Sequence, residues 1–426
     1  MSPWRHFKIS DPLIHPLIHA AMKTIAERYV KLVLAAGVHD PDFVDAYYGP
    51  QEWNEQAVAA ATPMPEIVSR ARELLAELDE HTTATVQEIE RLRHAYLTKQ
   101  LGALIARLNI VQGTTLSFDD EARALYDVTP PTHSETHFAD VVARLEAELP
   151  GSGPVHARYV SYRSQFVIPP ARVDAVFDAA IAAGRSRTRE HLSLPPDETF
   201  VVEFVTDKPW SGYNWYKGNY HSLIQVNTSL PIYVDRAVDL ACHEGYPVHH
   251  VYNALLEKHL VRQRGWVELS IYPLFSPQSL IAEGTANYGI DIAFPAGERV
   301  AFERETVFPL AGLPADRADE YYRIQELANA LSYAGNEAAR RYLDGRIDAA
   351  AAASWLERYG LMSPAAAKQR IRFIDKYRSY VINYNVGLDL VRGYMERTTG
   401  PDATAARRWQ VFGALLSSPT LPSALS

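Results

Sequence analysis

Three histidines and a glutamate lie within the segment Cys242–His250, CHEGYPVHH, in a chain that holds only 15 histidines among 426 residues. In a zinc hydrolase helix two histidines stand four residues apart, which places both imidazoles on one face with a rise of about 6 Å. Here Pro247 occupies the fourth position after His243. In a continuous helix His249 would point about 240° away from His243, and His250 would lie about 10 Å along the axis. A shared metal ion therefore requires an interrupted helix.

Proline supplies that interruption, because it lacks a backbone donor and clashes with the preceding turn. We expect the helix to be broken or bulged near Tyr246–Pro247. A two-residue bulge would return His249 to the position of a fourth-residue histidine, so His249 is the first candidate for the second ligand. His250 is the alternative; the histidine that does not bind metal would support a ligand or bind substrate. Glu244 would face the water to be activated, as a general base.

The third ligand is predicted to be Glu283, which lies in an apolar helical segment, Pro277–Phe294. Ser276 followed by a proline is typical of a helix start. A carboxylate among leucine, isoleucine and alanine is costly to bury unless an ion or a partner compensates its charge. Two histidines and one glutamate form a catalytic zinc set with one open position, so one Zn²⁺ ion is expected. The alternative is that these histidines are ordinary core or surface residues and that the glutamate pairs with an arginine.

The elements around this site are predicted to be mostly α-helical, because apolar residues recur at three and four along most of the chain. Two β-rich segments, 200–205 and 220–227, precede the histidines and predict a small antiparallel sheet beside the site helix. The aromatic segment Pro209–Gly218 between them is predicted to be a loop. An edge strand there could pair with an extended peptide, whereas the alternative is a hairpin that only covers the helices.

A flexible linker, Pro150–Pro154 with the sequence PGSGP, divides the chain. It predicts an N-terminal helical region over 1–150 and a catalytic region over 151–426, with the sheet at about 200–230, unless the two merge into one body.

Composition limits the function classes. A net charge of −9 without a basic cluster argues against nucleic-acid partners. Polar and charged residues interrupt the segment Met1–Ala20, and no later run of 18 residues is free of charge, so we expect no leader, no membrane partner and a cytoplasmic protein.

At these residues the chain resembles the bacterial domain of unknown function 885 family, whose signature is close to H-E-x-x-P-G-H-H and which is similar to gluzincin metallopeptidases. Four segments match in order: Gln225–Thr228, HEGYPVHH, Glu283–Tyr288 and Tyr384–Gly387. The resemblance implies a mostly helical, zinc-dependent hydrolase acting on peptides, with Glu244 as the base and Tyr384 as a candidate donor to the reacting oxygen. It also marks Asn227 as a candidate substrate-binding residue.

The chain departs from the family pattern at three places. Val248 stands where the family has glycine, Thr285 where it has tryptophan, and the stretch near Gly335–Asn336 lacks an acidic-Thr-Gly pattern. These differences concern the turn between the histidines and the substrate pocket. If Val248 spoiled the metal geometry, the chain would be a non-catalytic binding protein on a decayed peptidase fold.

The function predicted from the sequence is that of a zinc metallopeptidase that cleaves a peptide or amide bond. A late segment offers Tyr384, Tyr380 and Arg378 to the oxyanion, of which Tyr384 is favoured. His250, Arg378 and Asn227 are the predicted substrate-binding residues. A metal-dependent hydrolase of a small amide or ester would use the same groups. A helical iron or manganese oxidoreductase is disfavoured, because such sites typically use Glu-x-x-His pairs and neither Glu190–His191 nor Glu135–His137 has that spacing.

Overall fold

The computed structural model describes residues 16–80, 87–208, 210–229, 231–295 and 297–426. The sequence predicts no leader in Met1–Ala20, and residues 1–15 of this segment lie outside the described residues. Pro209, at the start of the predicted aromatic loop, also lies outside them.

Helices dominate the described chain, as predicted. Before the sheet the α-helices are α1 Pro16–His39, α2 Gln51–Ala60, α3 Met64–Asp79, α4 Glu88–Val111, α5 Phe118–Tyr126, α6 Glu135–Glu148, α7 Val155–Ser164 and α8 Val173–His191. After it they are α9 Val234–Leu240, α10 His249–Leu256, α11 Pro277–Ala293, α12 Glu298–Phe302, α13 Phe308–Ala311, α14 Ala318–Asn329, α15 Ala334–Leu343, α16 Ala349–Tyr359, α17 Pro364–Tyr377, α18 Val386–Thr399 and α19 Ala405–Leu416. Three π-helical segments, Ala241–Gly245, Glu257–Arg262 and Glu303–Val307, continue α9, α10 and α12.

Local side chains start several of these helices. Ser117, Ser134, Ser363 and Thr404 each accept a hydrogen bond from the backbone N–H three residues later, which satisfies one of the free donors of the first turn. Proline occupies the first position of α11 and α17, where its missing N–H is not needed. The helix boundaries thus follow from short-range chemistry.

A three-stranded sheet lies beside the site helix. It consists of β2 Thr199–Val205, β3 Gly212–Gly218 and β4 His221–Asn227 in the order β2-β4-β3, and a separate antiparallel pair joins β1 Val44–Tyr47 to β5 Ile271–Pro273. The predicted fold class, a mostly helical body with a small sheet, is confirmed. Antiparallel pairing occurs between β3 and β4, whereas the two strands predicted from the sequence, β2 and β4, run parallel.

The turn at Asn219–Tyr220 explains this arrangement. Both residues have positive φ, 53° and 59°, as in the two-residue turns that match the twist of a hairpin. The aromatic segment predicted to be a loop therefore folds back on β4 as strand β3. β3 takes one edge of β4, and β2 pairs with the other edge, where it runs parallel to β4.

The buried core is continuous across the linker Pro150–Pro154, since one hydrophobic cluster contains residues from both sides of it. Polar contacts also cross from α4 to the region near α11. Arg93 pairs with Glu268 at 2.5 Å, both side chains being buried, and the Tyr96 hydroxyl donates to Gln278 at 2.6 Å. The N-terminal helices therefore support α11, which carries Glu283.

Two glycines let α11 and α18 touch. A Cβ atom on Gly284 would lie 2.5 Å from the carbonyl carbon and oxygen of Gly387, and one on Gly387 would lie 2.7 Å from the Leu280 oxygen. Any larger side chain would push the two helices apart. This contact draws Tyr384, just before α18, towards Glu283 on α11.

Within the described residues, no helix combines the length and the apolar character needed to cross a bilayer.

Candidate metal centre

The helix that carries His243 is interrupted where the sequence predicts. α9 widens into the π-helical segment Ala241–Gly245, the chain is non-helical at Tyr246–Val248, with a cis peptide bond before Pro247, and α10 starts at His249. A π-helical turn adds a residue to the helix and so changes which side chains share a face. The wider turn and the break together place the imidazoles of His243 and His249 side by side.

Donor atoms of three side chains converge at this place, two imidazole nitrogens and both oxygens of the Glu283 carboxylate. His249 Nε2 lies 3.1 Å from His243 Nε2, His243 Nε2 lies 3.3 Å from Glu283 Oε2, and His249 Nε2 lies 4.0 Å from Glu283 Oε1. Zinc bonds of about 2.0–2.1 Å in a tetrahedron separate neighbouring donors by about 3.3 Å. The observed separations bracket that value, so the three side chains are spaced to share one ion.

Glu244 belongs to the same group of side chains. Its carboxylate and the two imidazoles have donor atoms within 4.8 Å of one another, so a cluster of His243, Glu244 and His249 could also hold a metal. We favour Glu283 as the third ligand because its oxygen approaches His243 more closely, at 3.3 Å.

The Glu283 carboxylate is buried and only half satisfied. Its Oε1 accepts a hydrogen bond from the Tyr380 hydroxyl at 3.0 Å, whereas its Oε2 is buried and accepts no well-formed hydrogen bond. Burial alone would raise the pKa of this carboxyl, but the hydrogen-bonding contact with His243, the charge of that ring and the bond from Tyr380 lower it below its usual range. Glu283 is therefore held as an anion with one free oxygen that faces the histidines.

Asn287 fixes the orientation of the His243 ring. Its Nδ2 donates to the carbonyl oxygen of Tyr384 at 2.8 Å, so its Oδ1 is turned towards His243 Nδ1 at 3.2 Å. An N–H on Nδ1 leaves Nε2 with a lone pair, which is the form that a metal ligand needs. Burial, and then the neighbouring His243, lower the pKa of His249 to about 3, so His249 is neutral at ordinary pH.

Glu244 faces the same space from the adjacent position. Its carboxyl is 5% exposed and lies against Gly212 of β3, where a Cβ atom would come within 3.0 Å of Oε1. Burial raises the pKa of Glu244 to about 7; the charge of His243 opposes this and that of Glu283 adds to it. A carboxyl that titrates near neutrality can both accept and return a proton.

The structure separates His250 from the other two histidines. Its ring is fully buried, with Nδ1 at 2.9 Å from the Ser222 hydroxyl and Nε2 at 3.0 Å from the Glu198 carboxylate. Both ring nitrogens are thus bonded to protein groups, and burial lowers the pKa of the ring. His250 does not line the cleft. Its geometry suits neither of the roles predicted for it, metal ligand or substrate contact.

The late segment places its three candidates differently. The Tyr380 hydroxyl is bonded to Glu283, and Arg378 is bonded to Glu121 at 2.6 Å and does not line the cleft. Tyr384 does line the cleft. Burial, and then the charge of Glu283, raise the pKa of Tyr384 well above 10, so its hydroxyl stays protonated and can donate. Tyr380 and Tyr384 both line the cleft, and of these two Tyr384 is the one whose hydroxyl is not bonded to Glu283.

Asn227 has a supporting position. Its amide nitrogen donates to the carbonyl oxygens of Lys208 and Trp210, each at 2.9 Å, and its oxygen accepts from the Ser229 N–H. It fixes the connection between β2 and β3 and does not itself line the cleft, although Trp210 does. Asn227, which the sequence predicts to bind substrate, thus shapes the wall of the cleft through its hydrogen bonds.

A cleft of about 990 Å³ opens in front of the donor atoms. Its walls include β3, which is an edge strand, and one face of α17. Asp45 of β1 also lines it and accepts a hydrogen bond from the Tyr213 hydroxyl. Burial, and then the charges of Glu283 and Glu244, raise the pKa of Asp45 to about 8. Nothing in the local sequence of Asp45 indicates that it lines the cleft. Asn287 could have been predicted from the sequence, because it lies four residues after Glu283 and therefore on the same helix face.

Val248, the departure from the family's glycine, is accommodated by α11. The valine is fully buried, and a Cβ atom on Gly289 would lie 2.1 Å from its Cγ2. The missing side chain on α11 makes room for the extra one in the turn, and the imidazoles of His243 and His249 still meet.

No family model matches the chain, and no curated protein matches its sequence. Among solved structures, the putative lipoprotein of Colwellia psychrerythraea is similar, with a TM-score of 0.53 and 16% identity over 84% of this chain. The chain spans 65% of that protein's length. A putative lipoprotein of unknown function from Shewanella oneidensis matches with a TM-score of 0.43 and 13% identity, over 86% of this chain and 74% of its own.

The M32 carboxypeptidase of Deinococcus radiodurans R1 matches with a TM-score of 0.39 and 13% identity, over 96% of this chain and 93% of its own. Of the three likenesses, the one to the Colwellia protein is strong enough to show a shared fold, and at 16% identity it shows the fold alone.

Proposed function

We propose that this protein is a zinc-dependent hydrolase of the metallopeptidase type, with His243, His249 and Glu283 as the residues that hold the metal. The observation that carries the proposal is the convergence of three donors on one point, including a buried Glu283 oxygen without a hydrogen bond. Two imidazole nitrogens at 3.1 Å can share either an N–H···N hydrogen bond or a cation, and the anionic Glu283 carboxylate beside them favours the cation. The donor set, two histidines and one carboxylate, suits zinc and leaves a position open for chemistry.

The residues around the donors can carry out hydrolysis. When bound, zinc supplies Lewis-acid polarisation of a carbonyl and acidifies water. Glu244 removes a proton from water while the water oxygen adds to the carbonyl carbon. The same carboxyl then returns the proton to the leaving nitrogen as the C–N bond breaks, so one water is consumed and an acid and an amine form. The Tyr384 hydroxyl donates to the oxygen of the carbonyl as negative charge develops on it.

A peptide is the substrate that fits this cleft best. The cleft volume of about 990 Å³ lies at the upper end of the roughly 300–1,000 Å³ found for small-molecule pockets. β3 is an edge strand that lines the wall beside Glu244, and the unpaired edge of a strand offers backbone groups to an extended chain. The resemblance to the domain of unknown function 885 family supports the same reading. A small amide or ester hydrolase would use the same residues and would be revealed by a substrate panel.

The test compares metal content and hydrolysis in the wild type and three variants. Glu244→Gln should keep one metal ion per chain and lose at least about 100-fold of its activity on a peptide library. Glu283→Gln should lose the metal, because it removes the charged ligand. Glu305→Gln, on an exposed glutamate far from the donors in sequence, is the matched control and should change neither quantity.

Full activity in Glu244→Gln would reject the general-base assignment. Stoichiometric metal in Glu283→Gln would reject that ligand. A wild-type protein that binds metal but cleaves no member of the peptide library or of an ester and amide panel would favour a non-catalytic binding protein instead.

A further inference from the structure

One face of α17 lines the cleft through Arg370, Phe373 and Tyr377, which recur at three and seven residues as a helix face requires. The Arg370 guanidinium lies over the Phe373 ring, 4.7 Å from its centroid, which fixes the side chain without neutralising its charge. Its Nη2 would lie 3.9 Å from a Cβ on Gly335, so the start of α15 leaves space beside it.

Arg370 differs from the other arginines of the cleft in its partners. The other three each form an ion pair at 2.7–3.2 Å: Arg236 and Arg299 share Asp239, and Arg392 pairs with Asp291. Within the described ranges no carboxylate forms an ion pair with Arg370, and its Nε is buried without a hydrogen-bond partner. An arginine stays charged in proteins, so this partly buried guanidinium carries a charge that is available to bind an anion.

The position of this charge relates it to the reaction. Arg370 and Tyr384 line the same cleft, and α15 lies beside both: a Cβ on Gly335 would lie 3.9 Å from Arg370 Nη2, and the next residue, Asn336, is hydrogen-bonded to Asn385, which follows Tyr384. Tyr384 in turn lies near Glu283 and Glu244. The unpaired guanidinium is therefore on the side of the cleft where the proposed oxyanion donor lies.

We propose that Arg370 binds a carboxylate of the substrate close to the bond that is cleaved. The identity of this anion as part of a substrate rests on the proposed hydrolase function. A guanidinium presents two parallel N–H groups to a carboxylate, and both bonds are charge-assisted. Such a carboxylate has two sources in a peptide, the free C-terminus and the side chain of an aspartate or glutamate. The first would make the protein a carboxypeptidase, and the second would give it a preference for acidic residues.

Binding and hydrolysis can be measured separately. Binding uses Glu244→Gln protein with zinc and three N-acetylated peptides of one sequence: a free acid ending in alanine, the corresponding amide, and an amide ending in glutamate. The free acid should bind at least about 10-fold more tightly than the alanine amide, since the extra bond is charge-assisted. Equal binding of the free acid and the glutamate amide would identify the side chain as an equivalent source.

Arg370→Gln, introduced into the same protein, should remove the preference by weakening the free acid about 10- to 100-fold while leaving the alanine amide unchanged. Arg370→Lys should keep part of the preference, because it retains the charge without the planar fork. Arg372→Gln is the matched control, since Arg372 is an exposed arginine on the same helix, and it should keep the full preference.

The inference is overturned if the free acid and the amides bind equally, if no peptide binds, or if Arg370→Gln weakens all three peptides alike. The last result would show that Arg370 only supports the fold. A preference that depends on Arg370 in a protein that hydrolyses no peptide would instead reject the proposed function and leave the carboxylate site standing.

Discussion

Replacing His249 and His250 one at a time should separate metal binding from folding in two adjacent residues. His249→Ala removes one of three converging donors. Loss of a residue that only orients a metal ligand typically weakens metal binding 10–100-fold, so loss of a ligand itself should weaken zinc binding by more than about 100-fold. His250→Ala should leave zinc binding within about 10-fold of the wild type, because both of its ring nitrogens face away from the donors.

The effect on folding should be the reverse. His250→Ala removes contacts with Ser222 and Glu198 from a fully buried site and leaves a cavity of one imidazole ring. One hydrogen bond to a charged group is worth about 1.5–3 kcal/mol, and a cavity adds to that. The Glu198 carboxylate keeps Arg189 and Tyr246 as partners, so we expect a loss of about 3 kcal/mol in the free energy of unfolding.

Two titrations measure these effects. Chelator-stripped proteins compete with a chromophoric chelator for zinc, and urea unfolding in excess chelator gives stability without metal. Loss of zinc binding in His250→Ala at unchanged stability would show that His250 is a ligand. Zinc binding retained in both variants would refute the proposed centre.

Three further predictions follow from single contacts. Asn287→Ala should weaken zinc binding about 10–100-fold, measured by the same competition, because the His243 ring loses the acceptor that orients it. Gly289→Ala should lower the free energy of unfolding by about 2 kcal/mol in urea, since the methyl group would meet Val248; no change would show that the turn is loosely packed. Although burial opposes it, hydrogen bonds from His250, Tyr246 and Arg189 hold the pKa of Glu198 at about 2, below its ordinary 4.5, so its stabilisation is complete above pH 4.5 and disappears as the pH falls towards 2. At about 1.36 kcal/mol per pKa unit, Glu198→Gln should cost up to about 3 kcal/mol at pH 7, and the difference from wild type in unfolding experiments should shrink below pH 4.5; a constant difference would contradict the assigned cause.

The interruption at Pro247 could be predicted because its cause is local. Proline removes a donor and clashes with the turn before it, whatever the rest of the fold does. The choice between His249 and His250 could not be settled in the same way, since adjacent helix residues point about 100° apart and either could face the site. The direction of α10 is decided by what its first turn packs against. Gly289 makes room for Val248, which precedes α10, and β4 supplies Ser222, which is hydrogen-bonded to His250.

The sheet shows a similar limit. Composition indicated two strands, and both exist as β2 and β4. The aromatic segment between them was predicted to be a loop because it contains glycine and proline, yet it forms β3. The two-residue turn at Asn219–Tyr220 pairs β3 with β4. Such a turn is hard to predict from the sequence, because a tyrosine with positive φ is uncommon.

Arg370 and Arg372 illustrate the limit most directly. They lie two residues apart on α17. The apolar positions Ala367, Ile371 and Ile374 place Arg370 on the buried side of the helix, but the local sequence does not show whether a carboxylate pairs with it. A helix turns about 200° over two residues, so the fold exposes Arg372 and directs Arg370 into a cleft where the other arginines already form ion pairs. The chemical difference between them is therefore tertiary: a residue with an ordinary side chain becomes a candidate binding group because its neighbours leave its charge uncompensated.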